Sequence, residues 1–180
     1  MESEMSLLVG VYGSSGCGKT RFVEELVTRV TGRGYSCRGV CSPAIFEGGL
    51  KTGILARLIP GRESKVLAKL AQEGDDHILG KWRIYPETFA WALDYLQEET
   101  YSDLWIIDEL GPYEVEQGLG WAPILLRLEN LPGKVILITY RPNLDIYFTK
   151  RYSNILTFDL ERDNAAEKVT REIEGLLLME

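Results

Sequence analysis

Histidine is nearly absent from this chain, and cysteine is scarce. His77 is the only histidine among 180 residues, so no Ser-His-Asp triad and no histidine-built zinc site can be assembled. The three cysteines, Cys17, Cys37 and Cys41, cannot all pair with one another, and beside Cys37 and Cys41 no second pair exists to complete a metal site. Reduced thiols in a cytoplasmic setting are expected. No apolar stretch approaches the length of a membrane span, and the acidic start Met1-Glu-Ser-Glu-Met5 lacks the form of a signal peptide. A membrane partner is therefore not expected. There is also no Lys/Arg run, and a net charge of −7 sets the surface against a phosphate backbone, which excludes general nucleic-acid binding.

What is present is ordinary in bulk and specific in one place. With 45% hydrophobic and 26% charged residues, the chain reads as a single globular domain, residues 1–180. The segment Gly13-Ser14-Ser15-Gly16-Cys17-Gly18-Lys19-Thr20 fits G-x-x-x-x-G-K-[ST], the Walker A phosphate loop. An apolar run, Leu7 to Tyr12, precedes it as a buried strand. Phe22, Leu26 and Val30 follow at helical spacing, with Val23 and Val27 beside them. Strand, glycine-rich loop and helix give the context that a nucleotide phosphate cradle requires. Gly13, Gly16 and Gly18 are expected to let the backbone take positive φ and close on a phosphate. Its N–H groups and the helix N-terminus then face the anion. Lys19 is assigned to the β- and γ-phosphates and Thr20 to Mg²⁺. The helix N-terminus is expected to lower the Cys17 pKa.

Further along, Ser36 to Phe46 reads as a strand, Gly48-Gly49 as a turn and Lys51 to Ile59 as the next strand. Ser64 to Leu70 is open between strand and helix. Lys81 to Tyr85 reads as a short strand, and Pro86 starts a helix carrying Phe89, Leu93 and Leu96. Leu104 to Ile107 and Lys134 to Thr139 are buried strands, separated by a helix with Trp121, Ile124, Leu125 and Leu128 on one face. Asn154 to Leu160 is the final strand. It leads to a helix bearing Val169, Ile173, Leu176 and Leu177, capped by Asn164 with Glu167. Alternating strands and helices predict a three-layer α/β P-loop fold of the RecA/ASCE-like kind. Its central sheet is mostly parallel, with a small antiparallel insertion within residues 36–85. The ligand then belongs at the carboxyl ends of the strands.

Three candidate chemical groups fall at such ends. Asp108 follows four apolar residues as a Walker B acid and is assigned to Mg²⁺, while adjacent Glu109 is placed to activate water. Arg141 follows the next core strand, where it either stabilises developing phosphate charge or forms an ordinary salt bridge. Thr139 orients water or is simply a β-branched strand residue. Trp82, Tyr85, Tyr140 and Tyr147 either stack on a base or pack in the core. Trp105 and Trp121 are packing residues, and His77 is read as solvated.

The stretch Asp108-Glu-Leu-Gly-Pro-Tyr-Glu114 resembles the D-E-I-G-x-[ML]-E signature of the small P-loop nucleoside-triphosphatases named from thermophiles, a family that includes the cancer-related nucleoside-triphosphatase. The resemblance extends over the phosphate loop, Gly39-Val-Cys-Ser42, Gly48-Gly49, Gly80-Lys-Trp-Arg83 and Arg141. Cys41-Ser-Pro-Ala-Ile-Phe-Glu47 departs from the family pattern. The resemblance implies slow Mg²⁺-dependent hydrolysis of several nucleoside triphosphates and of some diphosphates. It makes Asp108 the metal-side acid, Glu109 the catalytic acid/base and Glu114 a supporting residue. Hydrolysis is the reading taken, with a nucleoside triphosphate as partner molecule. A nucleotide or small-molecule kinase and a nucleotide switch acting on a protein partner share the same motifs. No N-K-x-D guanine motif and no ABC signature occurs.

Overall fold

A computed structural model describes residues 6–98 and 100–179. The first strand, β1 (Leu7–Tyr12), runs into the glycine loop and then α1 (Lys19–Thr31). The next stretch holds β2 (Cys37–Cys41), β3 (Ala44–Glu47), β4 (Leu50–Ile59), β5 (Ser64–Leu70), β6 (Ile78–Leu79) and β7 (Trp82–Ile84), followed by α2 (Pro86–Leu96). Then come β8 (Ser102–Leu110), α3 (Pro112–Val115), α4 (Ala122–Leu125), β9 (Gly133–Tyr140), α5 (Asp145–Arg151), β10 (Leu156–Asp159) and α6 (Ala165–Leu178).

Among the described residues, the ten strands join one sheet in the order β10-β1-β9-β8-β2-β4-β5-β7-β6, with β3 paired to β4. From β10 to β2 every neighbour is parallel. From β2 outward every pairing is antiparallel. The expected α/β architecture is therefore present, and residues 36–85 extend the same sheet. Successive residues of the central strands enter opposite cores, because side chains alternate across a strand. Leu104, Ile106, Val135 and Leu137 pack with Phe22, Leu26, Val169 and Ile173 on the α1/α6 face. Trp105, Ile107, Ile136 and Ile138 pack with Phe89, Trp121 and Phe148 on the other. Gly39 is required where β2 meets β8: at φ 144°, a Cβ there would collide with the Ile106 carbonyl oxygen.

Some local expectations are corrected. The strand expected over Ser36–Phe46 is broken at Ser42-Pro43. Pro43 has no N–H for a ladder, and the Ser42 N–H is diverted to the Asp108 carboxylate. Ser64–Leu70 resolves as a strand. The helix expected around Trp121 shrinks to one turn, α4, and a 3₁₀ turn at Leu128–Asn130. There the Arg127 N–H reaches back three residues, to Ile124, so the turn tightens although Trp121, Ile124, Leu125 and Leu128 are all buried. Asn164 precedes α6 in a left-handed conformation (φ 57°) and makes no side-chain cap; Glu167 pairs with Arg171 and Arg29 instead.

Candidate active site

The phosphate loop connects the end of β1 to the start of α1. Gly16 (φ 83°) and Gly18 (φ 103°) adopt the left-handed backbone that its turn needs. Gly13 is not among the positive-φ residues; a Cβ there would run into Cys17 Sγ, so its small size serves closeness rather than backbone freedom. The Gly13 N–H donates to the Tyr140 carbonyl, which ties the loop to the end of β9. Lys19 is buried, and its Nζ donates to the Gly13 and Ser14 carbonyls at 2.8 and 3.0 Å. The ammonium thus lies across the mouth of the loop. Cys17 does not show the expected depressed pKa: burial raises it and outweighs the lowering by Lys19.

Asp108 is the centre of the polar web. It is completely buried at the end of β8. Its Oδ2 accepts from Thr20 Oγ1 at 2.8 Å and from the Ser42 N–H at 2.9 Å, and its Oδ1 accepts from Thr139 Oγ1 at 2.6 Å. Burial, with the Glu109 charge next, pushes its carboxyl up to about 6, against the lowering effect of those three donors. The Thr20 hydroxyl, which spends its one proton on Asp108, keeps oxygen lone pairs for a cation. With Asp108 it makes a hard-oxygen pair suited to Mg²⁺.

Glu109 departs from regular strand geometry. Pairing between β8 and β9 shifts register between Ile107 and Leu110, and within that bulge Glu109 sits at φ 66°. A left-handed conformation costs a non-glycine residue about 1–2 kcal/mol, and such strain gathers at functional sites. Two bonds bracket the bulge. Thr139 Oγ1 accepts the Glu109 N–H at 2.9 Å, so one hydroxyl donates to Asp108 and receives from its neighbour. Beyond it, Glu114 folds back to accept the Gly111 N–H at 2.9 Å and, more loosely, the Trp121 N–H at 3.5 Å. Glu114 is buried, which pushes its carboxyl up to about 7.

The other assigned residues divide. Arg141 is exposed at the end of β9, next to the residue that receives Gly13, and has no ion pair among the described residues. Tyr140 cannot stack on a base: it is fully buried, packs against Tyr12 and Phe148, and donates its hydroxyl to Asp145. Trp82 lies on the antiparallel extension beneath Lys51 and Lys81. Sequence reasoning missed Glu161. From just beyond β10 it accepts the Ser14 N–H at 2.8 Å and the Ser14 hydroxyl at 2.7 Å. These bonds, with the Lys19 charge, hold its carboxyl below the usual range. Its place at a strand's carboxyl end was the one available signal. The Ser42 amide was also missed, since it contributes through the backbone.

Known proteins are similar to this chain along most of their length. The chain is 26% identical over 175 residues to the nucleoside-triphosphatase THEP1 of Caldivirga maquilingensis, covering 95% of this chain and 97% of that one. It is 25% identical over 185 residues to the protein of the same description from Thermococcus kodakarensis, covering 96% and 99%. In three dimensions it is similar to the crystal structure of THEP1 from Aquifex aeolicus, with a TM-score of 0.71 and 17% identity over 97% of this chain and 100% of that one. It is also similar to the solution structure of a human cancer-related nucleoside triphosphatase, with a TM-score of 0.70 and 17% identity over 96% and 97%. The model of the NTPase family matches residues 8–173, so the chain belongs to that family.

Proposed function

We propose that this chain, acting as one domain over residues 1–180, hydrolyses nucleoside 5′-triphosphates to the diphosphate and phosphate with Mg²⁺. Diphosphates are accepted as well, and base preference is low. The observation that carries this reading is the pair at the end of β8: a fully buried Asp108 bonded to Thr20, and Glu109 held beside it on a left-handed bulge.

Gly13 to Thr20 wrap the phosphates, and Lys19 exchanges its bonds to the Gly13 and Ser14 carbonyls for β- and γ-phosphate oxygens. Thr20 and Asp108 would hold Mg²⁺, which would supply positive charge to neutralise the phosphates. Glu109 orients a water and takes its proton as the water oxygen bonds to the γ-phosphorus. The bond from that phosphorus to the β-phosphate oxygen breaks, and the nucleoside diphosphate leaves. Arg141, exposed and without an ion pair among the described residues, counters the developing charge. Low base preference is supported by the absence of N-K-x-D and by the burial of Tyr140. No helix among the described residues is long and apolar enough to cross a membrane.

The test is phosphate release from ATP, GTP, CTP, UTP and their diphosphates with Mg²⁺, run with wild type and Glu109→Gln. Similar rates on all four triphosphates, lost in the variant, are expected. Tight binding without release by wild type would overturn hydrolysis in favour of a kinase or switch.

A further inference from the structure

On the α1/α6 face of the sheet, apolar packing runs across the parallel strands to Cys41 and Ile59 and stops there. On the opposite face it continues beneath α2 to Ala68 and Ile84. α1 packs on β2 and β8, whereas α2 reaches β4 and β5. Where α1 ends its cover, a cleft of about 720 Å³ lies between that helix and the β4–β5 turn. This volume falls within the range of small-molecule sites. No phosphate-loop residue lines it.

The cleft has an apolar floor and a charged rim. Val23 and Val27 of α1 face Cys41 and Ile59 across the floor. At the rim, Arg57 Nη1 reaches Glu24 Oε1 at 2.6 Å, so one ion pair ties β4 to α1. Arg62 also lines the cleft, and its guanidinium has no hydrogen-bond or ion-pair partner among the described residues. Two guanidinium groups therefore meet one carboxylate. The surroundings have the same sign: residues 36–71 carry a net charge of +4, although the whole chain carries −7. Guanidinium groups pair most strongly with carboxylates and phosphates, and the apolar floor calls for a hydrocarbon body beneath that head.

We propose that this cleft is a second binding site, separate from the phosphate loop, for a small amphiphilic anion. Its ligand is a carboxylate or phosphate monoester carrying a chain or ring. The apolar part covers Val27 and Ile59, and the head lies between Arg57 and Arg62. A cationic amphiphile is disfavoured, because it would meet two like charges for one opposite charge.

The experiment uses the full chain and the fluorescent aromatic sulfonate 1-anilinonaphthalene-8-sulfonate, with octanoate and octylammonium as competitors. Saturable binding at one site is expected, unchanged by saturating ATP and Mg²⁺ and displaced by octanoate but not by octylammonium. Val27→Trp fills the floor and Arg62→Glu reverses the free rim charge. Arg62→Glu removes a charge-assisted contact and should weaken the probe about tenfold or more, and Val27→Trp should weaken it at least as much by occupying the floor. Arg62 is exposed, so its variant folds even if the core change does not. The proposal is overturned if no saturable binding occurs, if ATP displaces the probe, if octylammonium competes as well as octanoate, or if Arg62→Glu binds like wild type.

Discussion

The parallel half of the sheet and its antiparallel extension handle buried polarity in opposite ways. At the carboxyl ends of the parallel strands, Asp108 is wholly buried yet receives three hydrogen bonds. In the extension and at its seam, Arg38 Nε, Thr52 Oγ1 and Arg83 Nε are buried atoms with no hydrogen-bond partner among the described residues. Cations there also lie over rings: the exposed Lys65 over Trp91 and Lys81 over Trp82, and Arg83 over Tyr85 while it pairs with Asp75 and Asp76. A directional web holds atoms to fractions of an ångström, which chemistry requires. Ring contacts tolerate sliding, which a scaffold or a binding face can accept.

Substitutions can break this contrast, beginning with the largest effect. Glu109→Gln should lower kcat by about 10²–10⁴, the range of a lost general base, with nucleotide affinity retained in a calorimetric titration. Lys19→Ala should weaken triphosphate binding by about a hundredfold in the same titration, because a charge-assisted phosphate contact is lost. Glu114→Gln probes the web through pH. The Glu114 carboxyl is raised from 4.5 to about 7, so the unfolded chain ionises first as pH rises. Wild type should lose about 3 kcal/mol of stability through this group between about pH 4.5 and 7, and denaturant unfolding of the variant should lack that slope. Thr139→Val should cost about 1–3 kcal/mol in unfolding free energy, since it leaves Asp108 and the Glu109 amide each short of a partner. Thr139→Ser should restore most of it, and equal stability of the valine variant would show that the web is dispensable. On the extension, Lys65→Met should cost under about 1 kcal/mol and leave kcat unchanged.

The phosphate loop was legible because its determinants are local: glycines and Lys19-Thr20 lie within eight consecutive residues, after a strand and before a helix. Asp108 and Glu109 were legible because four apolar residues deliver them to a strand end. The bulge at Glu109 was not, since it depends on a register shift against β9 that one strand alone cannot reveal. The same holds for Ser42 on Asp108, 66 residues away, and Glu161 on Ser14, 147 residues away. Parallel strands need crossovers, so their strand-end contacts are remote in sequence. The helix expected at Trp121 shows the reverse error: its apolar spacing reported burial correctly, but a tightened turn can place the same side chains inward.

Gly39 carries a consequence of another kind. It lies outside the phosphate loop, yet the Ile106 carbonyl occupies the space that any Cβ would need. Every coding change away from a glycine codon, whatever the new residue, adds that carbon. In genetic terms the position has no neighbours to drift into. It should stand out in a library of random variants as sharply as Lys19 does, for a reason that lies in the seam between β2 and β8 and not in the reaction.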